Sequence, residues 1–277
     1  MGILDDNPVV RAAVDIFISF EDTVAVGLTG SRARDVADAD SDIDFVVFVR
    51  NEVPPVKCRR SRYQEHHVVE FPYLDADHGV CIDDGLTIQG VRCESLWMDV
   101  PSVIEFLSTL DDRSDCDEAL PGGLLRTVPL HDPSGTIEEL KARVPAYSDR
   151  RAAWRAKKSL DSAHFSIYVL DWFEKAAGRN DYFCFFRHLR DVVEEFVKCV
   201  LALNRRWFCD EKRVTEILPT LELAPCDCAE RLTSIMMHTG ENKNLHNLLR
   251  NLKQLFGELA QIAIERYPDS KFPEEWQ

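Results

Sequence analysis

The chain has 277 residues, room for one large domain or two ordinary ones, each with a full core. Its 48 acidic residues outnumber 33 basic ones, for a formal net charge of −15. The excess is concentrated: residues 1–130 hold 25 acids and 11 bases, and residues 131–277 hold 23 and 22. A chain this acidic excludes a protein that grips free nucleic acid by its phosphates, which takes a basic stripe; no stable nucleic-acid binding is expected. The hydrophobic fraction of 45% excludes wholesale disorder. No apolar run reaches membrane-spanning length, so no membrane partner is expected. The opening MGILDDNPVV lacks a basic-then-apolar leader pattern, and Asp6 stands where a myristoylation signal prefers Ser or Thr. The expectation is a soluble, cytoplasmic protein. Nine cysteines, an odd number with no C-x-x-C pair, exclude a disulfide scaffold and a paired zinc site. Cys226 and Cys228 flank one residue without a second ligand pair, so the thiols read as small hydrophobes in a reducing compartment.

In chain order, residues 7–20 have a helical apolar rhythm behind an Asn7-Pro8 cap. Val24–Leu28 reads as a short buried strand ending in Thr29-Gly30-Ser31. Residues 43–49 (IDFVVFV) form a second strand, apolar enough to be buried on both faces. His66–Tyr73 and Leu86–Trp97 are two further strand-like segments, and Asp99-Val-Pro-Ser opens a helix running to about Leu110. The Pro/Gly/Asp-rich stretch Asp111–Pro133 reads as a linker region. Beyond it come helices at Ile137–Val144, Asp149–Ala177, Asp181–Asn204, Lys212–Leu218 (stopped by Pro219), Cys228–Met237 and Asn244–Tyr267. Tyr182–Phe186 (YFCFF) reads as core, and His188 as a helix-packing residue. There is no internal repeat or low-complexity tract. The fold class is α+β, with a front domain over 1–120, a linker over 121–136 and an all-helical bundle over 137–277.

The chemistry concentrates in Gly27–Asp35 (GLTGSRARD) and Ser41–Phe45 (SDIDF). Gly30-Ser31 follows a strand, where a sharp turn into a helix presents backbone N–H groups and a hydroxyl to phosphate oxygens. Asp42 and Asp44 stand two apart at the head of a strand, so both carboxylates leave the same face. Two parallel carboxylates cannot both sit dry and unpaired cheaply, and a divalent cation resolves the cost. Asp38/Asp40, Asp75/Asp77 and Asp115/Asp117 repeat the Asp-x-Asp pattern, but in polar loop sequence.

Gly-Ser, ten residues, then Asp-x-Asp resembles the signature of the DNA polymerase β-like nucleotidyltransferase superfamily, most of all its aminoglycoside, lincosamide and minimal nucleotidyltransferase branches. The resemblance covers about twenty residues; the helical half is similar to those branches in a less specific way. It implies a small mixed sheet flanked by helices and a third carboxylate on a neighbouring strand, a metal ligand or the base that takes the acceptor hydroxyl's proton, for which Glu94 is favoured and Glu70 is the alternative. It further implies transfer of a nucleoside monophosphate, AMP by preference, from a triphosphate (ATP first) to a hydroxyl, with release of pyrophosphate. Two Mg²⁺ ions would be held by Asp42, Asp44 and the third acid. Gly30 and Ser31 would seat the phosphates, helped by Arg32, Arg34 and, from the helical part, Lys212 or Arg205-Arg206. The acceptor would be a small polyhydroxylated or cationic molecule such as an aminoglycoside-like compound. The alternatives are an antitoxin-type regulator that attaches AMP to a toxin protein, and a member that binds nucleotide without turnover. Arg231 and His238 also fit the loose Arg-x(4–6)-His pattern of HEPN ribonucleases, which chance alone supplies about twice in such a chain. His66 and His67, adjacent on an expected strand, would point to opposite faces and could not share one metal.

Overall fold

Asn7 opens the first helix of the computed structural model, which describes residues 7–38, 40–111, 118–208, 212–239 and 244–272. Its side chain accepts from the amides of Val9 and Val10, and Pro8 takes the first helical position of α1 (Pro8–Ile18). Then come β1 (Thr23–Leu28), the single turn α2 (Gly30–Ala33), β2 (Ile43–Val49), α3 (Val56–Glu65), β3 (Glu70–Asp77), β4 (Ile82–Ile88), β5 (Val91–Asp99), α4 (Val100–Thr109), α5 (Ala119–Arg126), β6 (Val128–His131) and α6 (Thr136–Arg143). The strands form one mixed sheet in the order β3-β4-β5-β2-β1-β6, with β2 and β5 parallel and the other pairs antiparallel. β2 lies inside the sheet and all seven of its residues are buried, as its unbroken apolar tail requires.

Alternation sorts the sheet into two faces. Phe45, Val47, Cys93 and Trp97 face one core with Phe17 and Phe20 of the α1 segment and Tyr63 of α3. Phe17 meets the rings of Phe45 and Trp97 edge-on, at 5.4 and 5.8 Å between centroids. On the other face, Ile137 of α6 closes over Gly27 and Val46; a Cβ on Gly27 would lie 2.4 Å from Thr127 Cγ2. That face also carries Asp44, between Ile43 and Phe45.

Four expectations for this part need correcting. The linker of 121–136 holds most of α5, all of β6, which pairs with β1, and the start of α6. The chain accordingly divides into Met1–Leu110 with Leu120–Pro145, and Asp111–Ala119 with Ala146–Gln277. Leu86–Trp97 is two strands: Gln89 and Gly90, both at positive φ (51° and 79°), make a two-residue hairpin turn between β4 and β5. His66 and His67 lie in the turn after α3, not on a strand, with His67 at φ 63°. Helix α3 itself (VKCRRSRYQE) has no apolar stripe, because the residues it buries are Arg59 and Tyr63.

Those two side chains satisfy Asp84, which is fully buried. Its carboxylate accepts from Arg59 Nε at 2.7 Å and Nη2 at 3.0 Å, from the Tyr63 hydroxyl at 2.7 Å and from the Asp75 amide at 2.8 Å. Trp97 Nε1 donates to Tyr63 Oη and Ser95 Oγ, completing the network. A buried carboxylate is tolerable only when satisfied in this way.

The second unit is built on α7 (Asp149–His164), α8 (Trp172–Arg179), α9 (Tyr182–Leu203), α10 (Val214–Ile217), α11 (Cys228–Met236) and α12 (Leu245–Arg266). Ser148, Asp181 and Asn244 cap α7, α9 and α12 with their side chains. The single helix expected over Asp149–Ala177 is interrupted by a π-turn at Phe165–Val169 and by Asp171 at φ 52°. No Pro or Gly marks the break. Phe185, Leu189, Phe196 and Val200 of α9 pack with Leu252 and Phe256 of α12 in this unit's core. Within YFCFF, Phe185 is core, but Phe183 is 84% exposed and Tyr182 is exposed, which corrects the reading of the whole run as core. His188 stacks on Trp172 at 4.2 Å. No described helix is long and apolar enough to cross a membrane.

Candidate active site

The site begins with a steric requirement. After β1, Thr29 is extended and donates its amide to the Asp44 carbonyl at 2.8 Å. Gly30 then adopts φ 65°, which turns the chain sharply into α2. A Cβ built on Gly30 would lie 1.7 Å from Asp44 Oδ2 and 2.5 Å from its Cγ. Glycine here therefore serves both the backbone conformation and the close approach of the turn to a carboxylate. Ser31 follows in the first turn of α2, partly exposed.

The parallel pairing of β2 and β5 sets Asp44 opposite Glu94. Asp42, just ahead of β2, completes the group: the three carboxylates each present an oxygen within 4.8 Å of the others. Asp44 is 8% exposed, and Asp42 and Glu94 are half-buried. Three hard oxygen donors converging on one sheet face suit a divalent cation such as Mg²⁺, which would relieve their mutual repulsion. Glu70 is not part of this group. It is exposed on β3, an edge strand three places from β2, and pairs with Thr87.

Arg32 donates through Nε to the Asp42 carbonyl at 2.9 Å and through Nη2 to the Ser41 carbonyl at 2.6 Å. It braces the segment that carries Asp42. Asp38 supports the same loop, accepting from Ser41 Oγ at 2.8 Å and from the Asp40 amide. Arg34 Nε donates to the Gly30 carbonyl at 3.1 Å. Of the other Asp-x-Asp pairs, Asp75 and Asp77 lie on β3 rather than in a loop, and Asp75 engages Arg59; Asp115/Asp117 lie outside the described residues. Lys212, exposed, and Arg205-Arg206 belong to the other unit, where Arg205 pairs with Asp149. Arg231 is held by both carboxylate oxygens of Glu258, and His238 packs against Tyr182 and Phe186.

Sequence reasoning misses a second layer beside Glu94. Tyr73, Gly85 and Glu94 stand in register on β3, β4 and β5, on the face that carries Asp44. The Tyr73 ring lies over Gly85, and its hydroxyl donates to Asp83 Oδ2 at 2.8 Å. Asp83 is 9% exposed, and its Oδ1 has no hydrogen-bond partner among the described residues. Burial raises the Asp83 carboxyl above its usual range, and the negative charge of Glu94 adds to this. Burial, Asp83 and Glu94 together hold the Tyr73 phenol well above its ordinary value, so it is a neutral donor. Beneath the site, burial pushes the Cys93 thiol up to about 12, with Asp42 and Asp44 contributing. The signal for Asp83 is in the sequence, since alternation in Ile82–Ile88 places Asp83 and Asp84 on opposite faces. The irregular register of β3 hides Tyr73.

A family model described as a nucleotidyltransferase domain matches residues 10–105. Among solved structures, a nucleotidyltransferase-like protein from Exiguobacterium sibiricum 255-15 is similar at 10% identity and a TM-score of 0.42. The match covers 93% of this chain and 77% of that one. No curated protein matches the chain significantly.

Proposed function

We propose, from the premise that residues 10–105 are a nucleotidyltransferase domain of the polymerase β-like superfamily, which makes the protein a transferase of nucleotidyl groups, a specific division of labour and a class of acceptor. Asp42, Asp44 and Glu94 hold divalent metal, Mg²⁺, with two ions during turnover. The observation that carries this reading is the convergence of the three carboxylates under the Gly30 turn. When bound, the metal supplies positive charge to the entering and leaving oxygens. The acceptor hydroxyl gives its proton to a carboxylate of the site, its oxygen forms a bond to the α-phosphorus of ATP, the bond from that phosphorus to the bridging β-phosphate oxygen breaks, and pyrophosphate leaves. Gly30 and Ser31 seat the triphosphate. Arg32 keeps Asp42 in place through the main-chain carbonyls it binds, and with Arg34 it adds positive charge near the phosphates. The acidic front half suits a small polyhydroxylated or cationic acceptor of the aminoglycoside kind, in the cytoplasm.

The test follows pyrophosphate release and the destination of label from each α-³²P nucleoside triphosphate with Mg²⁺, using aminoglycosides, lincosamides and cell extract as acceptors. Release with ATP and label on a small molecule is the expected result, abolished in Asp42→Asn and Asp44→Asn. Label on a protein would replace the small acceptor by a protein hydroxyl. Full activity in either variant would overturn the metal assignment.

A further inference from the structure

Four residues form a row across four strands on the face of the carboxylates: Tyr73, Gly85, Glu94 and Asp44. The row has a gap, because Gly85 has no side chain, and the Tyr73 ring fills it. A Cβ on Gly85 would meet the Tyr73 ring carbons at 2.7 and 2.9 Å, too close for the ring to stay where it is. Gly85 is not at positive φ, so its backbone does not demand glycine; the ring above it does. The ring is fixed at its far end by the hydrogen bond to Asp83, a carboxylate that is itself nine-tenths buried. Glu94 is thus flanked in register by Asp44 on one side and, across Gly85, by the anchored Tyr73 on the other. Arg92, two residues before it on its own strand, is largely exposed and 3.7 Å from Glu94, too loose to fix it.

We propose that Tyr73, anchored by Asp83 across the Gly85 gap, is the positioning residue that holds Glu94 in line with Asp42 and Asp44. The proposal rests on the reading that these three acids bind divalent metal. Groups that orient metal ligands from behind typically change metal affinity by about 10–100-fold when removed. Tyr73→Phe removes the anchor and keeps the ring, whereas Gly85→Ala keeps the hydroxyl and displaces the ring.

The experiment titrates Mn²⁺ into the protein with ATP and reads free Mn²⁺ by electron paramagnetic resonance, well below the unfolding temperature. Val9→Ala, a core truncation on α1 of the same unit, controls for stability. Tyr73→Phe and Gly85→Ala should each weaken Mn²⁺ binding about tenfold or more, while Val9→Ala leaves it unchanged. If wild type binds Mn²⁺ and Tyr73→Phe binds it equally well, the positioning role falls and the metal reading stands. A loss matched by Val9→Ala makes Tyr73 merely structural and also overturns the proposal. If the wild-type protein binds no Mn²⁺, both readings fall together.

Discussion

Replacing Gly30 by alanine should separate the site's geometry from the fold's stability. The new Cβ would sit 1.7 Å from Asp44 Oδ2. To reach ordinary contact, the carboxylate or the turn must move by about 1.5 Å, and misplacement of this order costs about 100-fold in rate. The backbone adds its own cost, since Gly30 has φ 65° and an L-residue there loses about 1–2 kcal/mol. β2 is buried along its whole length and the aromatic core lies on the other face, so the fold absorbs that loss. The expected Gly30→Ala protein is therefore folded, destabilised by about 1–2 kcal/mol in urea, and at least about 100-fold slower in pyrophosphate release. Mn²⁺ affinity should fall with the rate, because the displaced group is a proposed ligand. A folded Gly30→Ala protein with wild-type turnover and Mn²⁺ binding would refute the reasoning, as the turn would then not need to approach Asp44.

Three further outcomes follow from the network and the titrating groups. Arg59→Met should cost about 3–5 kcal/mol in urea unfolding by stranding Asp84, and Arg59→Met with Asp84→Leu should recover most of it; a single-variant loss below about 1 kcal/mol would contradict a buried, charge-satisfying pair. Asp83 has a folded-state carboxyl raised by burial, so its stabilising influence is complete below the unfolded carboxylate value and fades as pH rises through the folded one. The melting temperature of Asp83→Asn minus that of wild type should therefore grow as pH rises from the ordinary carboxylate range, and a difference flat in pH would dismiss this account. Burial holds the Cys93 thiol at about 12, so iodoacetamide at pH 8 should label exposed Cys58 in the native protein and Cys93 only after unfolding, read residue by residue by mass spectrometry. Equal native labelling of the two would show that the sheet opens readily.

What the sequence discloses depends on whether a rule of spacing survives folding unchanged. Asp42 and Asp44 are legible because strand alternation is local and β2 runs straight from them into the core. The preference for Glu94 over Glu70 comes from the family resemblance, and the register that sets Asp44 opposite Glu94 is not legible in the sequence. The α1, α4, α9 and α12 helices announce themselves through caps: Asn7, Asp99, Asp181 and Asn244 each accept from their own helix's first turn. Helix α3 does not, because its inward face is Arg59 and Tyr63, and a polar buried face has no apolar period to find. The β4–β5 hairpin is missed because Gln-Gly is a weaker turn signal than Asn-Gly, although both residues take positive φ. β6 is missed because four residues in a Pro/Gly-rich stretch form a strand only by pairing with β1, a long-range contact.

Asp83 and Asp84 show how one strand can divide structure from chemistry. They are adjacent, chemically identical and both buried, so composition and burial treat them alike. Alternation sends Asp84 toward α3, where Arg59, Tyr63 and the Asp75 amide supply four donor contacts. Asp83 goes to the face of Glu94, where one donor, Tyr73, reaches one oxygen and the other has none among the described residues. A fully satisfied carboxylate is a structural cross-link that gains nothing from a ligand. A half-satisfied one beside three converging acids is costly to the fold, and that cost is met by neutralising it or by using it to hold something in place. Asp83 does the second, its Oδ2 accepting from the Tyr73 hydroxyl and anchoring the ring. This is why removing that single hydroxyl oxygen, a change too small to disturb the sheet, is the sharpest probe of the face that carries Glu94.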